Sequence, residues 1–269
     1  MKAAVIVTTY NRPDALAAVL EGYAAQRDSA FELLIADDGS TDETRSIVEQ
    51  HAKRSAFPVR HVWQEDLGFR AGAARNRALA QTAAEYVIFS DGDCVPPPFF
   101  VQRHLSLAQP GRFLAGNRIL LSEDFTREVL VKHVPIHRWS AARWLAAWVR
   151  RDVNRALPLV HLPDGAWRTR GSSHWEGVKT CNFSAWRADL TRVNGFDERY
   201  SGWGLEDSDL VIRLLHAGVR HKTARFAAPV FHLWHSENDR TQLAENQRRL
   251  DEIIASNRVT AAVGLDRYS

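Results

Sequence analysis

The sequence predicts an α/β fold, a mainly parallel sheet with helices on both faces. Three observations carry that prediction. Short apolar, β-rich runs alternate with helical patterns through the first half of the chain, the pattern of βαβ units. The loops TTYNRP, DDGSTD and DGDC fall at the carboxyl ends of those runs, where sheets of this kind bind ligands. The composition of the 269 residues, 45% hydrophobic and 25% charged, is that of a globular chain and excludes disordered, collagen-like and low-complexity classes.

The elements follow in order. AAVIVTTY is the first strand, and Pro13 after it suits the first turn of a helix over PDALAAVLEGYAAQ. FELLIADDGS is a strand that breaks at Asp-Gly, and TDETRSIVEQHAKR is a helix with an acidic first turn and a basic last turn. PVRHVWQ gives a third strand, RAGAARNRALAQTA an Ala-rich helix, and EYVIFS a fourth strand ending at Asp91-Gly92-Asp93. In the second half, 112–121 predicts one strand and 137–157 one helix rich in Arg and Trp. Residues 162–177 have no period and carry three glycines, the composition of a lid. A helix is expected from Glu206 to a stop at Gly218, then a short strand in PVFHLWH and a polar C-terminal helix. Neither a repeat nor a linker divides residues 1–269, so a single domain is expected.

Thirty-five Lys and Arg against thirty-two Asp and Glu leave a net charge of +3, which gives no case for a nucleic-acid binder. Cys94 and Cys181 are too few for a disulfide framework or a cysteine-built zinc site. No apolar run approaches the roughly 20 residues of a membrane helix. The N-terminal AAVIV is too short for a signal sequence, so a soluble, cytoplasmic protein is expected.

Five clusters carry chemistry. Asp91 and Asp93 flank a glycine at the sheet's carboxyl edge and can hold a hard divalent cation, although a polar turn is the more common meaning of such a triplet. Asp38 in the Asp37-Asp38-Gly39-Ser40 turn can recognise a base or ribose, or simply lead into a helix. Arg75 and Asn76 put a cation and an amide on a small-residue helix. Glu206, Asp207 and Asp209 lie in the first turn of a helix, where its dipole favours acids. Trp203 between two glycines just upstream suits a flat ligand. His232 and His235 point to opposite faces of a strand but converge on one ion if the strand ends between them.

The motifs VIVTTYNRP, IADDGSTDET, GFRAGAARNRAL and YVIFSDGDCVP, in this order, resemble the nucleotide-sugar half of family 2 inverting glycosyltransferases with the GT-A fold. The run KTCNFSAWRADLTRVNGFDERYSGWGLEDSDLVIRL resembles the acceptor half of chondroitin-polymerase-like enzymes and β-1,4-galactosyltransferases. The resemblance divides the domain into a nucleotide-sugar half, 1–110, and an acceptor half, 111–269. It implies that Thr8, Tyr10, Asp38, Arg75 and Asp91 bind the nucleotide sugar and that Asp91, Asp93, His232 and His235 hold Mn2+ or Mg2+. It further implies that Asp207 is the base, with Trp203, Glu206 and Asp209 in the acceptor site. The partners implied are a nucleotide-sugar donor, UDP-linked, and a glycan or lipid-linked glycan acceptor. The GWG-x-ED form departs from the plain bacterial family 2 pattern and leaves the donor sugar open.

Other readings stay open on the residues alone: a catalytically inactive nucleotide-sugar-binding subunit, a DxD phosphatase, or a sugar nucleotidyltransferase. One further feature is separate. Trp139, Trp144 and Trp148 lie with Arg138, Arg143, Arg150 and Arg151 in the helix expected over 137–157, and Leu145 and Val149 extend the face of Trp144 and Trp148. Packing onto the sheet is the commoner meaning of such a stripe; peripheral contact with a membrane is the other.

Overall fold

A computed structural model describes residues 2–236 and 241–268. The first half alternates as expected: β1 (Ala3–Thr9), α1 (Pro13–Ala24), β2 (Phe31–Asp37), α2 (Asp42–Arg54), β3 (Val59–Trp63), α3 (Ala71–Ala80) and β4 (Tyr86–Asp91). Then come β5 (Cys94–Val95), α4 (Phe100–Leu107), β6 (Arg112–Ala115), β7 (Arg118–Leu120), α5 (Glu123–Val131) and α6 (Ala141–Val149). The chain ends with β8 (Asn182–Trp186), α7 (Arg187–Arg192), α8 (Glu206–His216), β9 (Arg220–Thr223), β10 (Val230–His232) and α9 (Leu243–Ile254).

The main sheet has the order β3-β2-β1-β4-β8-β6-β9, and β5-β10-β7 form a small second sheet. Strands β1 to β4 are parallel to one another, and β8 alone runs antiparallel to its neighbours β4 and β6. Residues 3–7 of β1 are all buried because helices cover both faces. Val5 and Val7 join Leu16, Val19 and Tyr23 of α1 in one core, while Ala4 and Ile6 meet Ala74 and Leu79 of α3 and Leu210 and Leu214 of α8 in the other. That alternation is the two-residue period of a strand. It brings the carboxyl ends of β1, β2 and β4 to one edge, with the N-terminus of α8 beside them.

Two elements of the second half differ from expectation. The strand expected over 112–121 is split at Gly116 and Asn117, where the chain leaves the main sheet for the small one. Gly116 crosses the side chain of Asn182 so closely that a Cβ would sit 2.4 Å from its Oδ1. Asn182 Nδ2 then donates to the carbonyls of Asn117 and Ala228, fixing the crossing. The helix expected over 137–157 is confined to α6, because Ser140 caps its start and the chain turns left-handed at Arg151.

The stripe on α6 is divided. Trp144 is buried and stacks on Phe231 at a ring separation of 4.1 Å. Trp148 is 48% exposed, and Leu145 and Val149 lie open beside it. A four-residue step advances a helix about 40° past a full turn, enough to straddle the edge of a buried face. No helix among the described residues is long and apolar enough to cross a membrane.

Candidate active site

The cleft at the carboxyl edge of the sheet has a volume of about 410 Å3 and gathers eleven of the twelve residues to which the resemblance gives a role, all but Asp209. The turns that build it depend on close backbone approach. The Gly92 N–H donates to the Thr8 carbonyl at 2.7 Å, and a Cβ on Gly92 would press on Thr9 at 2.9 Å. The glycine between the two acids is therefore required by contact with β1. At Gly39 the backbone is left-handed, φ +99°, and a Cβ would lie 2.5 Å from the Asp66 Cα.

At the end of the cleft next to β2, both oxygens of the buried Asp38 carboxylate are engaged, by Gln64 Nε2 and by the Arg70 N–H, each at 2.6 Å. Tyr10 stands exposed at the rim with its hydroxyl on Asp66 at 2.8 Å. Thr8 Oγ1 accepts from Arg75 Nε at 2.9 Å.

Arg75 is the hub. Its guanidinium lies 3.0 Å from Asp91, 3.2 Å from Glu206 and 3.6 Å from Asp207, with only 5% of its side chain exposed. The resemblance assigns it to the nucleotide; within the protein its contacts join the end of β4 to the start of α8. One cation among three acids cannot neutralise them all. Burial and the neighbouring Asp207 raise Glu206 to about 7, and burial raises Asp91 to about 6 against the pull of Arg75. Asp207 is oriented by Thr180, whose hydroxyl and N–H both donate to its carboxylate, the latter at 3.3 Å.

Asp209 corrects an expectation. It is fully buried, its carboxylate bonded to Arg213 at 2.6 Å and within 3.4 Å of the Tyr200 hydroxyl. Two residues past Asp207 on a helix, it faces away from the cleft and secures α8 to the core. Asn76 likewise serves structure, clamping the 196–198 turn through the Phe196 N–H and carbonyl. The lid expectation changes too. None of residues 162–177 lines this cleft, and Arg168 pins the segment by donating to the carbonyls of Leu162, Thr223 and Arg225.

Residues 4–170 match the model of Glycosyl transferase family 2, more than half of the chain. The chain belongs to this family. Residues 164–236 of the family 2 chain also match a model described as the N-terminal domain of galactosyltransferase. It is 32% identical over 239 residues to validoxylamine A glucosyltransferase of Streptomyces hygroscopicus subsp. limoneus, covering 82% of this chain and 49% of that protein. It is 25% identical to chondroitin synthase of Escherichia coli over 83% of this chain and 33% of that one. The chain thus spans about half or less of these curated relatives. Among solved structures, S. aureus TarS 1-349 superposes with a TM-score of 0.64 at 18% identity, covering 100% of this chain and 68% of that one. The mannosyltransferase PcManGT from Pyrobaculum calidifontis, in complex with GDP-Man and Mn2+, superposes at 0.61 and 19% identity, covering 92% and 60%. The fold of this family 2 chain is GT-A.

Its donor set fits a divalent ion. β10 ends at His232, so the backbone turns and both imidazoles reach Asp93, with His232 Nε2 at 3.7 Å and His235 Nε2 at 3.4 Å. Burial lowers the pKa of His232, which keeps the lone pair of its neutral form available. Asp91 is turned to Arg75, so Asp93 is the acid that meets the histidines.

Three contributors escaped the sequence reading. Thr180 holds Asp207; it lies in the run that carries the acceptor-half resemblance, as a threonine that nothing local marks out. Asn246, fully buried on α9, donates to the carbonyls of Ser201 and Gly204 and so fixes the glycine loop around Trp203. Leu205, just before Glu206, adopts a left-handed backbone at φ +76°, an uncommon conformation for a branched side chain. An Asn 40 residues downstream and a strained leucine leave no local signal in a sequence.

Proposed function

We propose that this chain transfers a sugar from a nucleotide diphosphate sugar, UDP-linked, to a hydroxyl of a glycan or lipid-linked glycan, with inversion at the anomeric carbon. One observation carries the reading: Asp207 and the Asp91–Asp93 turn face one cleft and are tied together by a single guanidinium. That arrangement supports acid groups for the donor diphosphate and for the acceptor hydroxyl within one substrate's length. The relatives that carry glucosyltransferase and chondroitin synthase names support the same class of reaction.

In this reading Asp38 and Tyr10 receive the nucleoside, and the sugar lies between the Asp93 turn and α8. Asp207, aimed by Thr180, takes the proton of the attacking hydroxyl. Glu206 beside it is raised to about 7 by burial and by its acidic neighbour. A carboxylate is a weak base in water, so position supplies what basicity does not. Asp93, His232 and His235 would hold a divalent ion, Mn2+ or Mg2+, which supplies positive charge against the leaving diphosphate.

The reading disfavours an inactive binding subunit, because the base and its support are both present. A DxD phosphatase needs its first Asp free as nucleophile, whereas Asp91 is engaged by Arg75. A peripheral location at an anionic membrane surface, suited to a lipid-linked acceptor, is supported by the exposed Leu145, Trp148 and Val149 beside Arg143 and Arg151. The decisive experiment is a panel of nucleotide sugars screened for Mn2+-dependent hydrolysis, since slow donor hydrolysis needs no acceptor. One UDP-sugar is expected to be cleaved; no hydrolysis and no binding of any nucleotide sugar would refute the function.

A further inference from the structure

A second pocket of about 290 Å3 opens beside the cleft and shares Arg118, Lys179 and Cys181 with it. Its own wall adds Arg155, Arg225 and His221. Among the described residues, the side chains of Arg118, Arg155, Lys179 and Arg225 make no hydrogen bond or ion pair. Glu176 is the one acid among the described lining residues, and it is occupied elsewhere, by the Trp175 N–H and by His174 at 3.6 Å. His221, stacked on Phe113, has its buried Nε2 without a hydrogen-bond partner.

Four cations around one small cavity repel one another, although Asp91 and Asp93 in the main cleft draw on Arg118. Two of the four, Arg118 and Lys179, are half-buried, so water screens them less than it would at the surface. A diphosphate in the main cleft would reach Arg118 and Lys179, but Arg155 and Arg225 line only the second pocket. The pocket meets the cleft between its two acid groups: Lys179 and Cys181 flank Thr180, the residue that orients Asp207, and Cys181 Sγ also lies within 4.8 Å of the Asp91 carboxylate, so the donor-sugar arm of the test below is needed to assign the anion.

Resting on the glycosyltransferase reading, we propose that this pocket binds an anionic group of the acceptor, a carboxylate or a phosphate, so that the acceptor is an acidic glycan or a glycosyl phosphate. Arginine forks suit both oxyanions through paired N–H donors.

The test uses the full chain saturated with UDP and Mn2+ and titrates three probes: methyl β-D-glucuronide, glucose 1-phosphate and methyl β-D-glucoside. One of the charged probes is expected to bind at least about tenfold more tightly than the neutral one, with the gap closing as NaCl rises. The tighter of the two charged probes distinguishes a uronate from a phosphate. In Arg155→Gln/Arg225→Gln, two exposed positions, the preference is expected to vanish while UDP affinity is unchanged. Equal binding of all three probes, or a preference that survives the double variant, would overturn the proposal. So would a preference for UDP-glucuronate over UDP-glucose that the double variant abolishes, because the anion would then belong to the donor. UDP titrated alone keeps the two readings apart: its failure to bind counts against the nucleotide site, whereas the probe preference is scored separately.

Discussion

Arg75 Nη1 lies 3.2 Å from the carboxylate of Glu206, a contact between residues 131 positions apart. The same guanidinium reaches Asp91 and Asp207, so the N-terminal and C-terminal halves of the site share one buried counter-ion. Three acids around that one guanidinium leave an excess of negative charge beside it, and burial raises the Glu206 carboxyl, whose titration is accessible to experiment.

Glu206 is raised from its ordinary 4.5 to about 7 by burial and by Asp207. A carboxyl whose folded pKa is raised favours the folded state when protonated. Its contribution is complete below about pH 4.5 and is lost as pH rises through about 7. Glu206→Gln is expected to flatten that part of the stability profile, and the mutant should gain on the wild type as pH increases. Urea denaturation between pH 4.5 and 8 measures it; parallel profiles for the two proteins would mean that Glu206 ionises normally.

Asp207→Asn keeps the shape of the side chain and removes its ability to accept a proton. Transfer is expected to fall by about 10²–10⁴-fold with UDP affinity unchanged. Steady-state transfer alongside UDP calorimetry makes the comparison. Near-normal turnover would move the base to Glu206, its neighbour on the cleft wall.

Much of this was legible in the chain because the first half obeys local rules. Alternating apolar runs gave β1 to β4, Pro13 marked α1, and acids at strand ends fell at the sheet edge where ligands bind. The second half resisted because its determinants are distant in sequence. Asn182 decides where β6 ends, and Phe231 decides that Trp144 is buried while Trp148 is not. Asp209 was misplaced for a related reason: three acids in one helical turn look equivalent in sequence, but Arg213 and Tyr200 draw one of them into the core.

Asp93 and the histidines predict a graded metal response. Asp93→Ala removes the acid that both imidazoles approach and is expected to abolish metal-dependent activity. His235→Ala leaves Asp93 and His232 in place, so activity should persist but require a higher Mn2+ concentration for half-maximal rate. Mn2+ titrations of hydrolysis by the three proteins check this, and superimposable curves for wild type and His235→Ala would remove the histidine from the ligand set.

The α6 surface sets a last expectation, about where the protein resides. Trp144 is anchored against Phe231, so α6 cannot roll, and Leu145, Trp148 and Val149 are held facing outward. Tryptophan favours the boundary between lipid and water, and the arginines nearby favour anionic headgroups. Peripheral attachment of this kind is weakened by salt, whereas a purely apolar contact is not. Vesicles containing an anionic lipid are expected to co-sediment the protein at low salt, and neutral vesicles to do so poorly. Trp148→Ala should reduce binding through lost apolar contact, and Arg150→Glu/Arg151→Glu through reversed charge; all three positions are exposed, and the pair lost with Arg150 is a surface one to Asp152. If the wild type stays in the supernatant with anionic vesicles at low salt, the exposed face of α6 has no membrane role.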